Sequence, residues 1–315
     1  MINQLKLSVS AAAVALLLTA GAASSVKAAD VVDQGCTLSG SVMAGYMFDW
    51  QEIDSSEDGL GNKDVDWGTP FGEGAGLVTC GGFNAQADVA YYAHSADVDS
   101  EDVDLDQTNT HIGGALFWRD PSFAALGVQA SWISQDIISK DVDTFRVGLF
   151  GEFYLDDAIT LGGSAAYFNT ENVDFGPFDK DADGFELAAW GKFYATPDLA
   201  FTLRGDLMLA DASIFNEDAS FDGWAVTGDA EYLVWDQGLA IFGGARYAER
   251  KLDFDDVDFD VTAQDFQVFA GLKFYFGQDG TLVERQRTGT VDNTSVFQEK
   301  LPGFLTSLLA AEASD

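Results

Sequence analysis

The chain has 315 residues, with 52 acids against 16 bases and a formal net charge of -36. Lys and Arg are too few to cluster into a phosphate-binding face, which excludes nucleic acid as a partner. With 33 Gly, 25 Phe, 9 Tyr and 7 Trp against 5 Pro, the composition favours strands, and the length allows one large domain.

Residues 1–28 read as a removed signal peptide. Lys6 supplies the positive n-region, residues 8–21 the apolar core, and Val26-Lys27-Ala28 a small-residue cleavage site. The apolar run is shorter than the roughly 20 residues of a spanning helix, and no later stretch is long and apolar enough to span as one.

From residue 29 to 276 a period of two governs the chain. Thirteen residues, 264–276, place Phe266, Val268, Ala270, Leu272, Phe274 and Phe276 on one face and Asp265, Gln267, Lys273 and Tyr275 on the other. The same parity separates Phe145, Val147, Leu149 and Phe153 from Arg146 and Glu152, and Leu187 and Leu203 from Glu186, Lys192, Arg204 and Asp206. The pattern predicts strands at 38–50, 70–79, 83–94, 107–118, 123–134, 143–155, 158–169, 184–195, 199–211, 222–235, 238–251 and 264–276. That gives an all-β, antiparallel transmembrane barrel of about 12 strands, with 10 to 14 as bounds. The range reflects 70–79, where Phe71-Gly-Glu-Gly-Ala-Gly lacks clean alternation. Tight turns are expected at Cys80-Gly81-Gly82, Arg119-Asp120-Pro121-Ser122, Asp156-Asp157, Thr196-Pro197-Asp198 and Asp236-Gln237-Gly238.

The leader, the asymmetry of short turns and long loops, and the terminal Leu272-Lys273-Phe274-Tyr275-Phe276 resemble Gram-negative outer-membrane β-barrels, and more narrowly the porin-like proteins. The resemblance implies a location in the cell outer membrane, surrounding outer-membrane lipids, short turns in the periplasm and an assembly signal at Phe276 read by the barrel assembly machinery. It departs from the family at the end, because 39 residues follow the aromatic where the family usually stops. This segment, 277–315, is expected to be a periplasmic tail. Phe304, Leu305, Leu308 and Leu309 have the spacing of a short helix, which leaves a plug or partner-docking helix as the alternative.

The six long connections hold 29 acids and three bases, Lys63, Lys140 and Lys180. Such a mouth concentrates cations; the alternative is a solvated acidic rim. Asp179, Asp181 and Asp183 alternate before Gly184 like the first half of an EF-hand loop, but the twelfth position is Trp190, so EF-hand membership is rejected and a looser Ca²⁺ site is the only cofactor expectation.

Asp88, Arg146, Glu152, Glu186, Lys192, Arg204, Asp206, Asp229, Glu231, Arg246, Asp265 and Lys273 fall on the nonlipid parity and are the expected pore lining. They fit either a water-filled pore or a packed salt-bridge core. The chain has two His, His94 and His111, both on the inward parity, and Ser95 points away from His94, so no surface catalytic pair assembles locally and no enzyme is expected. The two cysteines, Cys36 and Cys80, fall at neighbouring strand ends in an oxidising compartment and are expected to form a disulfide. The sequence reading is a porin-like channel for passive diffusion of small ions or solutes, preferring cations. The alternatives are a non-conducting surface or adhesion barrel with Ca-binding acidic loops and, third, a lipid-modifying barrel enzyme. Oligomeric state, conductance and substrate leave no trace in the residues.

Overall fold

The computed structural model describes residues 35–55, 63–98, 104–137, 140–171, 182–214, 217–254 and 260–295. Twelve strands account for most of them. They are β1 Cys36–Ser55, β2 Lys63–Cys80, β3 Phe83–Val98, β4 Asp104–Asp120, β5 Ala124–Ile137, β6 Lys140–Asp156, β7 Ile159–Glu171, β8 Ala182–Thr196, β9 Leu199–Ile214, β10 Glu217–Trp235, β11 Leu239–Phe254 and β12 Asp260–Phe276. Each pairs antiparallel with its sequence neighbours, and β1 closes on β12 with Gly40 opposite Phe276. Closure leaves no sheet edge to present unpaired backbone to lipid.

What makes this a membrane barrel is its outside. Large apolar side chains stand exposed on every strand but β2, among them Phe48, Ile112, Leu116, Leu149, Leu187, Leu203 and Leu272. A soluble domain cannot expose such a continuous surface. Exposed aromatics collect toward the two ends of the wall. Phe83, Trp118, Phe123, Phe153, Phe193, Phe201, Tyr232 and Trp235 stand near the short turns, whereas Trp50, Trp132, Phe145, Tyr167, Phe185, Trp224 and Phe266 stand toward the other end. Aliphatic side chains fill the band between, as expected where amphipathic rings prefer the interfaces and alkyl groups the hydrocarbon. Ring pairs such as Trp50–Phe266, 5.9 Å apart, and Trp224–Tyr247, 5.3 Å apart, tie neighbouring strands within a girdle.

The short turns fall where the sequence places them. Gly81 and Gly238 adopt positive φ, 62° and 113°, which a side chain would resist. Asp120 accepts from Ser122 N and Oγ, and Asp156 from Ala158 N, so the turn carboxylates hold the reversals through their own backbone.

One expectation needs correction. The strands run further at the end opposite the turns than alternating apolar residues indicated: β2 starts at Lys63 rather than 70, and β10 at Glu217 rather than 222. Hydrogen-bonded pairing continues past the apolar belt because an antiparallel ladder in water needs only its partner strand, not lipid. Many acids assigned to the long connections, including Asp64, Asp66, Asp143, Asp211, Asp222 and Asp253, are therefore strand residues. The connections 56–62, 99–103, 138–139, 172–181, 215–216 and 255–259 lie outside the described residues, as do residues 1–34 with the leader and 296–315 with the spacing around Phe304.

The tail also carries a helix that the sequence reading did not place, α1 Leu282–Thr288. Thr281 caps it, accepting from Glu284 N, while the Glu284 carboxylate accepts from Thr281 N at 2.8 Å, a reciprocal capping box. These bonds hold the Glu284 carboxyl below its usual range. α1 sits across the turn end of the barrel.

Candidate functional site

The barrel interior combines hydrogen-bonding and charged residues with apolar clusters, all carried on the inward parity of the strands. At the turn end, Tyr154, Tyr194, Tyr275, Leu233, Ala200 and Ala240 form a partly apolar ring, and Leu282 of α1 is fully buried against it. At the opposite end a layer of Gln51, Thr69, His94, Gln107, Asn109, Gln135, Thr144, Arg250, Asp265 and Gln267 is buried; Arg250 pairs with Asp265, and Thr69 Oγ1 lies 2.9 Å from His94 Nδ1. Ionisable groups dominate the level between.

All twelve residues of the expected lining lie inside. Arg146 Nε donates to Glu186 at 2.7 Å, Arg204 pairs with Asp206 at 2.8 Å, and Lys273 stands 3.7 Å from Glu231. Tyr275 donates to Glu231 at 2.5 Å, Arg246 donates to Thr227 and Gln267, and Asp265 holds Arg250. Asp88, Glu152, Lys192, Arg204, Asp229, Glu231, Arg246 and Lys273 border a cavity of about 280 Å³. Its far wall is apolar, with Phe71, Tyr92, Phe242 and Phe269 clustered beside Met47. Groups of opposite charge meet around this level, and ion pairing satisfies part of its charge.

The chain itself occupies much of that space. From α1, residues 289–295 run up the interior, and their contacts change strand at nearly every step. Arg119 of β4 donates to Gly289 O at 2.5 Å, and Ser41 of β1 meets Thr290, the two hydroxyls 3.2 Å apart. Gln86 of β3 grips Val291 twice, its amide donating to the carbonyl and accepting from the N–H, each at 2.8 Å. Arg204 of β9 donates to Asp292 at 3.0 Å, and Asn293 donates to Asp88 at 3.3 Å and to Ala130 O at 3.3 Å. Arg146 of β6 donates to Asn293 O at 3.3 Å, and Ser295 donates to Glu186 of β8 at 2.7 Å. Gly113 makes room for this tip: a Cβ there would fall 2.5 Å from the Asp88 carboxylate, 2.6 Å from Asn293 Nδ2 and 2.7 Å from His111 Nε2.

α1 is fixed at the rim by backbone acceptors. Arg285 donates to Asp236 O, Gln278 O and Gly280 O, while Arg287 donates to Asp156 O and Ile159 O with its guanidinium 5.1 Å over Tyr154 and 5.6 Å over Tyr194. Gln286 bridges Tyr194 and Glu231. The sequence reading missed Arg119, Arg250, Arg285 and Arg287. The first two sit on the inward parity and could have been found there; the last two each reach a carbonyl more than forty residues away, which no local pattern encodes. Thr281-x-x-Glu284 was the available signal for α1.

Of the other expected sites, Cys36 and Cys80 are cross-strand partners joined by a disulfide, their Cα atoms 4.3 Å apart. Phe276 ends β12 with its ring over Gly40 of β1, at the barrel seam. Asp183 is exposed at the start of β8 and accepts weakly from Tyr167 at 3.4 Å; Asp179 and Asp181 lie outside the described residues. Among the described residues no three His, Cys, Asp or Glu converge as a metal site. His111 pairs with Asp88 at 2.9 Å, and Ser95 faces outward, away from His94.

No family model matches the sequence, and no curated protein matches it. Solved structures do match in shape. An outer membrane channel from Pseudomonas putida F1 aligns with 75% of this chain and 96% of its own at a TM-score of 0.53 and 9% identity. The translocator domain of the autotransporter NalP from Neisseria meningitidis aligns with 86% and 98% at a TM-score of 0.48 and 10% identity. At such identities the likeness to the channel is one of fold: this chain is a closed twelve-stranded barrel of the outer-membrane type.

Proposed function

We propose that the protein is a porin-like channel of a Gram-negative outer membrane, passing small hydrated solutes by passive diffusion with a preference for cations. One observation carries the reading: the mid-level interior is lined by ionisable side chains around a cavity of about 280 Å³, a costly arrangement unless water and solutes enter. The cavity border holds Glu73, Asp88, Glu152, Asp229, Glu231 and Asp292 against Lys192, Arg204, Arg246 and Lys273, an acidic excess that agrees with the net charge of -36. The apolar belt supports outer-membrane lipid as the surroundings, and Phe276 at the seam fits a role in recognition by the barrel assembly machinery. The fold shared with an outer membrane channel agrees with this reading.

Planar-bilayer recording of the purified protein tests it. Discrete steps with a salt-gradient reversal potential displaced toward the cation support the proposal; silence across voltages and solutes, in the parent and in variants with a loosened tail, overturns it. The second reading, a non-conducting surface barrel, is favoured by the occupation of the interior by residues 289–295.

A further inference from the structure

We infer that residues 289–295 are a tethered, displaceable plug whose departure opens the lumen, with α1 as the tether. The inference rests on the channel reading above, and three features of the segment support it.

First, it adds no strand to the wall. Its backbone is bound by side chains, namely Arg119 on Gly289 O, Gln86 on both polar atoms of Val291 and Arg146 on Asn293 O, so it can leave without breaking a ladder. Second, it is almost wholly polar. Val291 is its single buried apolar side chain, and hydroxyls, an amide and a carboxylate make the other contacts, for which water substitutes at little net cost. A structural filler would exclude water with apolar bulk. Third, the segment binds the groups that otherwise line a pore: Asp88, Arg146, Glu186 and Arg204. While it is seated, Arg146 and Glu186 face protein rather than solute, and Asp88 and Arg204 are held by it at the edge of the cavity. The tether is built differently, with Leu282 fully buried and two arginines locked on carbonyls of the rim. A plug that lets go remains attached, so re-entry is intramolecular and fast.

The test uses the full chain. In a Ser41→Cys/Thr290→Cys pair, replacing hydroxyls 3.2 Å apart, oxidation should hold the segment in place and suppress openings; reductant should restore them, with each single cysteine variant treated identically as control. Val291→Pro removes the N–H held by Gln86, and Gly113→Val fills the space used by the tip without altering the tail. Each should raise the open-to-closed ratio on the order of 10-fold, the equivalent of one or two hydrogen bonds. Thr290→Cys alone, probed with a membrane-impermeant maleimide, reads plug release independently of current, and labelling should accelerate by a similar factor in Val291→Pro. If the oxidised pair conducts like the parent, the plug is overturned while the channel stands. If labelling accelerates but no variant conducts, release stands and the channel reading falls. Labelling equally slow in every variant makes the segment a fixed filler and overturns the inference.

Discussion

At the level of single residues, what decides the fate of a side chain is which of three surroundings its parity delivers it to. Leu203 is 63% exposed at mid-height of the wall, with Arg204 beside it turned inward onto Asp206. Leu203→Arg should cost about 2 to 4 kcal/mol in a lipid-vesicle denaturation assay, because a guanidinium near the bilayer midplane has neither water nor partner. Glu284 shows the opposite economy, an exposed carboxylate made useful by the two donors of Thr281. Its carboxyl is held below the ordinary range, so its contribution to α1 is complete above about pH 4.3, the unfolded value, and is lost as pH falls through the lowered one. The thiolate that reacts with maleimide becomes scarcer in acid whatever the tail does, so the readout is a ratio at each pH, the Thr290→Cys labelling rate in a Glu284→Ala background over that without the second change. The ratio should exceed one at neutral pH and fall to one in acid. A constant ratio across pH would separate the cap from the seating of the tail.

At the level of elements, alternation made the strands legible because lipid and lumen demand opposite chemistry of adjacent residues; Phe145 and Arg146, or Leu187 and Glu186, announce the two faces without any tertiary knowledge. The same rule failed at β2 and β10, whose outer ends invert the pattern: Val65, Trp67 and Phe221 are buried inward, while Asp64, Asp66 and Asp222 face out, where the belt would carry apolar residues, and read as loop. The twelve interior positions were legible for the reason the strands were. The tail was not, since its partners are side chains and carbonyls scattered over nine strands, and polar segments look alike whether they bind a wall or water. β2 is also the strand that most needs help, with Gly68, Pro70, Gly72, Gly74 and Gly76 along one face. Cys36–Cys80 ties its end to β1, closing a sequence separation of 44. Replacing both with Ser should lower stability by roughly 2 to 4 kcal/mol in a denaturant titration, chiefly through the freed unfolded chain.

For the whole molecule, charge is the organising quantity. Acids crowd the end away from the short turns, and Asp253, Asp255, Asp256, Asp258 and Asp260 belong to a single connection and its flanks. Converting these five to Asn should move the reversal potential away from the cation limit at low ionic strength and leave it nearly unchanged in molar salt, because exposed charges act only within a Debye length of about 3 Å there. A selectivity that ignores the change at both strengths assigns cation preference to the interior instead. Chain order adds a constraint of another kind. α1 grips the β6–β7, β8–β9 and β10–β11 turns, and the segment beyond it touches β1, β3 and β4 as well. These partners converge only after β12 has met β1, yet the plugging residues follow β12 in the chain. The wall is thus the template on which the end of the chain takes its shape, and residues 278–295 find their full set of partners only in a closed barrel.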